Sequence, residues 1–275
     1  RILSSAASDV YKRQVNNNGS TLLHIAVHLE VNKNNLDIVR LLIEKGAEKN
    51  LKDIMGFTPL YIAVQLNNLD IVKILIDNGA NVDIKSKSGT TPLLSAVNKN
   101  NLDIVQALIE KSADVNAIDS TGSTPLLSAV YNQNLEIVQA LIEKSADVNA
   151  VNKTGMTPLH IAVKVSNLEI ARILIENRAN VNITNSDGIT PLYMAVSTNN
   201  LDIAKILIEK DADKNIKNIN GMTPLHTAVN INNLEAVQFL IDNDADVNIK
   251  NINEMTPLHT AVNINNLKAV QILID

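Results

Sequence analysis

A short motif returns eight times along this chain, and no other feature constrains its folding as much. It reads TLLHIAV at Thr21, TPLYIAV at Thr58, TPLLSAV at Thr91 and Thr124, TPLHIAV at Thr157, TPLYMAV at Thr190, and TPLHTAV at Thr223 and Thr256. From Thr58 onward the step is 33 residues. The first step is 37, because HLEVNKNNL, between Ala26 and Leu36, is four residues longer than its counterparts. A unit this small cannot bury an apolar face alone, so such a chain folds by stacking neighbouring units into a continuous core.

Each unit predicts two short helices. The threonine is a helix N-cap, and proline suits the next position, where a missing N–H costs nothing. Leucine and alanine then form the buried stripe of the first helix. An asparagine usually follows (Asn67, Asn100, Asn199, Asn232, Asn265), and asparagine tolerates the left-handed conformation that ends a helix. The second helix is expected over segments such as Asn68 to Ala80, where Leu69, Val72, Leu75 and Ile76 mark one apolar face. Asp70 falls in its first turn, where the helix dipole favours a carboxylate. Gly46 and Gly79 end the second helix in the first two units, and stretches such as Ala117 to Ser123 carry turn chemistry.

The TPLHxA motif, the GA-x-x-N ending and the 33-residue period together resemble the ankyrin-repeat family over Val15 to Asp275. The resemblance implies an all-α ankyrin-repeat solenoid of stacked helix-turn-helix units with projecting hairpin-like loops. It also implies that the concave face, made of loops and first helices, binds partners. The chain departs from the family pattern where Ser112, Ser145, Arg178, Asp211 and Asp244 replace the helix-ending glycine, and where Glu254 replaces the glycine before the last threonine. A left-handed position occupied by a residue other than glycine costs up to ~1 kcal/mol, so the C-terminal half is expected to be looser than a consensus array.

Residues 1–14 share nothing with the repeats. Ser4 to Gln14 reads SSAASDVYKRQ, which resembles the in-frame translation of a transposase-based sequencing adapter. This segment is expected to be a non-native artefact or a disordered arm, with natural sequence beginning near Val15. Neither end carries a polar capping repeat, so the chain reads as a fragment of a longer array.

Composition narrows the function classes. There is no cysteine, which removes disulfides and thiolate chemistry and fits a reducing compartment. No apolar run approaches the ~18–20 residues needed to span a bilayer. Aromatics make up 2% of the chain with no tryptophan, and the net charge is −5, a poor composition for stacking bases or holding phosphates. Four of the five histidines, His24, His160, His226 and His259, occupy the fourth position of the motif, where Tyr61, Leu94, Leu127 and Tyr193 also stand. Ligands lie ~2 Å from a metal, and units stack ~8–10 Å apart, so these rings are expected to be structural. No glycine-rich phosphate loop or serine elbow occurs. The acidic residues from Asp37 to Glu235 recur at one helical position, unlike an acid–base pair in two different environments. The reading is of a non-enzyme without cofactor or metal. Asn116 and Asn149, eight residues after Leu108 and Leu141, resemble loop asparagines hydroxylated in some ankyrin proteins, although turn hydrogen bonding accounts for them more simply.

In the family, specificity lies in variable loop positions and at the exposed end of the first helix. Here these positions give Lys52, Ile54, Met55, Phe57 and Leu66 in the second unit, then Lys85, Lys87 and Lys99 in the third. The fourth and fifth units add Ile118, Tyr131, Lys153, Met156 and Lys164. The last three add Ile189, then Lys217, Met222 and Ile231, then Lys250, Met255 and Ile264. Counting every such position, eight lysines stand against one aspartate, Asp187. That +7 within a chain of −5 leaves −12 for the rest. A basic, partly apolar face suits a protein partner with an acidic patch and apolar anchors. The expected function is a protein–protein interaction scaffold or adaptor, inside a cell, whether cytoplasmic or delivered into a host. The alternative is the targeting arm of a larger enzyme, ubiquitin-ligase adaptor or channel. Nucleic acid is a weaker partner class, because no arginine occurs among these positions. No small-molecule substrate is expected.

Overall fold

The computed structural model describes residues 13–29 and 33–275. Residues 1–12 of the adapter-like segment, and residues 30–32 of the long first unit, therefore lie outside the described part. The chain divides into two compact units, residues 1–146 and 147–275, each containing four repeats. The first holds α1 (Leu22–His28), α2 (Lys33–Glu44), α3 (Pro59–Gln65), α4 (Leu69–Asp77), α5 (Pro92–Asn98), α6 (Leu102–Glu110), α7 (Pro125–Tyr131) and α8 (Leu135–Glu143). The second holds α9 (Pro158–Lys164), α10 (Leu168–Glu176), α11 (Pro191–Ser197), α12 (Leu201–Glu209), α13 (Pro224–Asn230), α14 (Leu234–Asp242), α15 (Pro257–Asn263) and α16 (Leu267–Ile274). Among the described residues the only bridge outside helices is a single antiparallel pair, Val15 with Thr21.

Local chemistry sets every helix end. Each motif threonine caps its first helix: Thr58, for example, accepts from the N–H of Tyr61, and Pro59 opens the helix. Nine residues after the threonine the chain reverses through a left-handed residue. Among repeats two to eight, asparagine holds this position at φ 56–59° in five, while Gln133 and Ser166 adopt φ of 58° and 55° in the other two. The second helix then starts one residue later than the sequence pattern indicates, because Asn68 is its cap and accepts from Ile71 N–H at 3.1 Å. The same cap recurs at Asn101, Asn134, Asn167, Asn200, Asn233 and Asn266. In the first repeat the corresponding Asn35 lies inside the helix, which has 12 residues rather than nine, and its Nδ2 donates to Leu29 O.

Within each unit, first helices pack on first helices and second helices on second helices. The core is a stripe of aliphatic side chains contributed once per repeat: Leu60, Leu93 and Leu126 in one unit, and Leu159, Leu192 and Leu225 in the other, are 0–1% exposed. Burying a leucine fully is worth roughly 2 kcal/mol, so repetition rather than any one contact stabilises the fold.

Two polar ladders tie neighbouring repeats together at the surface. In one, four of the capping asparagines donate to the left-handed asparagine of the repeat before: Asn101 to Asn67, Asn134 to Asn100, Asn233 to Asn199 and Asn266 to Asn232, at 2.5–2.8 Å. In the other, the loop residue after the second helix accepts an N–H from the next repeat, as Asn50 from Asn81 and Asn149 from Asn180, both at 2.8 Å. Asn116, Asn149 and Asn182 also point Nδ2 at the carbonyls of Ser145, Arg178 and Asp211, at 3.4–3.5 Å. These loop asparagines thus bond between repeats as well as within their own turn.

The helix-ending position has φ of 60–69° at Ser112, Ser145, Arg178, Asp211 and Asp244. A side chain is sterically admissible there, since a Cβ at Gly79 would meet nothing within 4 Å. Only the left-handed backbone is unfavourable. Replacing Arg178, Asp211 and Asp244 together by glycine is expected to stabilise the second unit by about 0.5–1 kcal/mol per site. Chemical denaturation measures this, and an unchanged midpoint would show that these residues carry no strain.

Candidate protein-binding surface

Between repeats the chain forms a projecting loop, here called a finger, that ends at the motif threonine. Each finger is closed by one residue five positions before the threonine. Asp53 accepts with Oδ1 from the N–H groups of Met55 (2.8 Å) and Phe57 (2.9 Å), and its own N–H donates to Phe57 O. Asp119, Asn152, Asn185, Asn218 and Asn251 do the same, and Ser86 replaces them in the third repeat. This side-chain turn was legible as an Asp, Asn or Ser at fixed distance from each threonine, but the sequence reading did not single it out.

Fingers in one unit are joined through their backbones. The N–H of Lys87 donates to Met55 O, that of Ser120 to Ser88 O, that of Ser186 to Thr154 O, and that of Ile252 to Asn220 O. Close approach explains the glycine two residues before the threonine. A Cβ at Gly56, Gly155 or Gly221 would lie 2.8 Å from the next finger's backbone nitrogen, and φ there is 80°, 74° and 69°. The close approach excludes a side chain, and the left-handed backbone adds to its cost. Glu254 stands at this position in the eighth repeat, at φ 60°.

The motif histidines hold the finger bases. In His160, Nδ1 accepts from the Thr157 N–H at 3.2 Å, which leaves the proton on Nε2, and Nε2 donates to Ile189 O of the next finger at 2.9 Å. His24 and His226 repeat this with Phe57 O and Met255 O, both at 3.0 Å. Burial pushes all three imidazoles below the usual histidine pKa, against the opposing effect of the carbonyl bond. His259 makes the same bonds to Thr256 but is exposed. The rings are caps and inter-repeat links. Among the described residues no three His, Cys, Asp or Glu side chains come together as a metal would need.

The expected site residues divide evenly between the units. In the first, Lys52, Ile54, Met55, Lys85, Lys87 and Ile118 lie on fingers, and Leu66, Lys99 and Tyr131 lie at the ends of first helices, all exposed. In the second, Lys153, Lys217 and Lys250 lie exposed on fingers, and Lys164, Ile231 and Ile264 at or just beyond the ends of first helices. Phe57, Met156, Ile189, Met222 and Met255 are half-buried at the finger bases, where three of them give the carbonyls bound by histidine. Phe57 also stacks on Tyr61, with ring centroids 4.6 Å apart. These five are therefore more framework than contact surface. Not all lysines are equally available either: Lys85 donates to Ile118 O and Lys217 to Lys250 O, each at 3.0 Å, and Lys250 pairs with Glu254 at 2.9 Å. Ile219 and Ile252, 65% and 67% exposed, also project from fingers of the second unit.

A family model for ankyrin repeats, in three copies per match, fits residues 2–86, 78–152, 146–218 and 212–275, which together run across the chain. The chain belongs to the ankyrin-repeat family. A search of curated proteins found no match. Ankyrin repeats are generally protein–protein interaction modules. No helix among the described residues of this ankyrin array is long and apolar enough to cross a membrane.

Proposed function

We propose that this ankyrin array is a scaffold or adaptor that binds a protein carrying an acidic patch with apolar anchors. The observation that carries the reading is the mixture of cations and bare apolar side chains on the fingers and first-helix ends. In the first unit Ile54, Met55, Ile118 and Tyr131 are 52–64% exposed beside Lys52, Lys87 and Lys99. Isolated exposed apolar residues need no explanation, but a recurring row of them next to mainly positive charge supports the reading of an interaction surface. The lysines steer the encounter and select the partner, and the apolar side chains hold it.

The test is charge reversal at Lys52, Lys87 and Lys99 together. These side chains are exposed, so the fold is expected to persist, as judged by an unchanged circular dichroism melt. Binding of a partner recovered with the wild-type chain is expected to weaken by about tenfold or more at low salt, since each charged contact contributes of order 0.5–1 kcal/mol. Equal binding by the reversed variant would mean that these lysines serve solubility alone.

A further inference from the structure

Repeats seven and eight carry the same residues on the proposed face: Lys217 and Lys250, Ile219 and Ile252, Ile231 and Ile264 among them. They differ two residues before the threonine, where Gly221 is answered by Glu254. Glu254 holds a left-handed backbone, which a residue with a Cβ adopts only at a cost. Its carboxylate turns to the lysines of the face: Oε2 lies 2.9 Å from Lys250 Nζ. Lys217 Nζ donates to the carbonyl of Lys250, so both ammonium groups gather at one finger junction. The hydrogen bond and charge of Lys250, with a smaller contribution from Lys217, hold the Glu254 carboxyl below its usual pKa. Beside this cluster Ile219 and Ile252 project 65% and 67% exposed.

Two ammonium groups flanked by two bare isoleucines make a receptor for a carboxylate next to an aliphatic side chain. The free protein already has a carboxylate there. We propose that Lys217 and Lys250 form a carboxylate-binding subsite for an extended acidic peptide with aliphatic residues, and that Glu254 occupies it as an internal stand-in that the peptide displaces. The inference rests on the reading of the fingers as a binding face, and it names the ligand chemistry of one part of that face. Glu254 then acts as a specificity element: it weakens binding of single carboxylates and leaves an advantage to ligands whose apolar groups also engage Ile219 and Ile252.

The experiment titrates a labelled peptide of glutamates and isoleucines in a glycine–serine background into the full chain, followed by fluorescence anisotropy. A peptide with lysine in place of glutamate is the control. Glu254→Gln, which keeps side-chain size, and Glu254→Gly, which restores the finger glycine, are expected to bind the acidic peptide about two- to fivefold tighter than wild type at low salt, the range for an exposed ion pair. The gain should shrink at high salt and vanish when Lys217→Gln and Lys250→Gln are added. Equal affinity of wild type and Glu254→Gln, or a gain that survives loss of both lysines, overturns the proposal. If the acidic peptide is weakened only by reversal of Lys52, Lys87 and Lys99, the broader reading stands and this subsite falls. If no form of the chain prefers the acidic to the basic peptide, both fall.

Discussion

Gly221→Ala and Gly155→Ala are each expected to destabilise the second unit by about 2–4 kcal/mol, far more than alanine replacement of an exposed loop residue. Two costs add. The backbone is left-handed at both positions, which costs an alanine about 1 kcal/mol or more. The new methyl would also stand 2.8 Å from the nitrogen of Ile252 or Ser186, and backbone cannot step aside as a flexible side chain does. Separating two packed fingers strains or breaks the Ile252–Asn220 or Ser186–Thr154 hydrogen bond, a further 1–3 kcal/mol by analogy with overpacked cores. Gly79→Ala is the control, since its Cβ would meet nothing within 4 Å and only the backbone cost of about 1 kcal/mol applies. Urea denaturation of the three variants measures the difference. Equal losses would show that finger contact contributes nothing.

Acidification is the second perturbation, and its sign follows from the histidines. His24, His160 and His226 are held below the unfolded pKa of 6.5 by burial. Folding therefore favours the neutral ring, and the unfolded chain binds protons first as pH falls. The stabilisation is complete above 6.5 and is lost as pH drops from there towards the folded pKa values. Protonation would place a second N–H on Nδ1, opposite the Thr157 N–H it accepts in His160, so the cap itself is opposed. One of these histidines lies in the first unit and two in the second, so the second unit is expected to lose more stability between about pH 7.5 and 5.5. Leucine occupies this motif position as Leu94 and Leu127, both buried, so His160→Leu with His226→Leu preserves packing and should flatten the pH dependence. Denaturation midpoints at the two pH values give the result. A pH dependence unchanged in the double variant would assign the acid sensitivity elsewhere.

The period, the caps and the paired helices were legible because each depends on residues close in sequence. Threonine followed by proline specifies a helix start wherever it occurs, and the leucine of each motif lies buried in every repeat from the second to the seventh. The meaning of the two glycine positions was not legible. The helix-ending glycine and the finger glycine look alike in sequence, yet one faces open space and the other a neighbouring backbone. That contact explains why the first has drifted to serine, arginine and aspartate while the second changes only at Glu254. The same limit applies to the surface. Sequence position put Phe57 and Met255 with Ile54 and Lys52, but the first two are half-buried at the finger base and the last two project from it. The engagement of Lys85, Lys217 and Lys250 depends on carbonyls and a carboxylate that alignment on the threonines does not reveal. The division into two units has no marker in the repeat pattern, which runs in phase through residues 146 and 147.

A protein partner held by the fingers and first-helix ends would shield their backbone amides from solvent. The most direct measurement is amide hydrogen exchange of the chain with and without a partner isolated on the wild-type protein. Added protection is expected over residues 52–57 and 85–90, or over 217–222 and 250–255, with the second helices unchanged. Protection confined to second helices such as Leu69–Asp77 and Leu102–Glu110 would place the partner on the opposite side of the repeat and contradict that expectation.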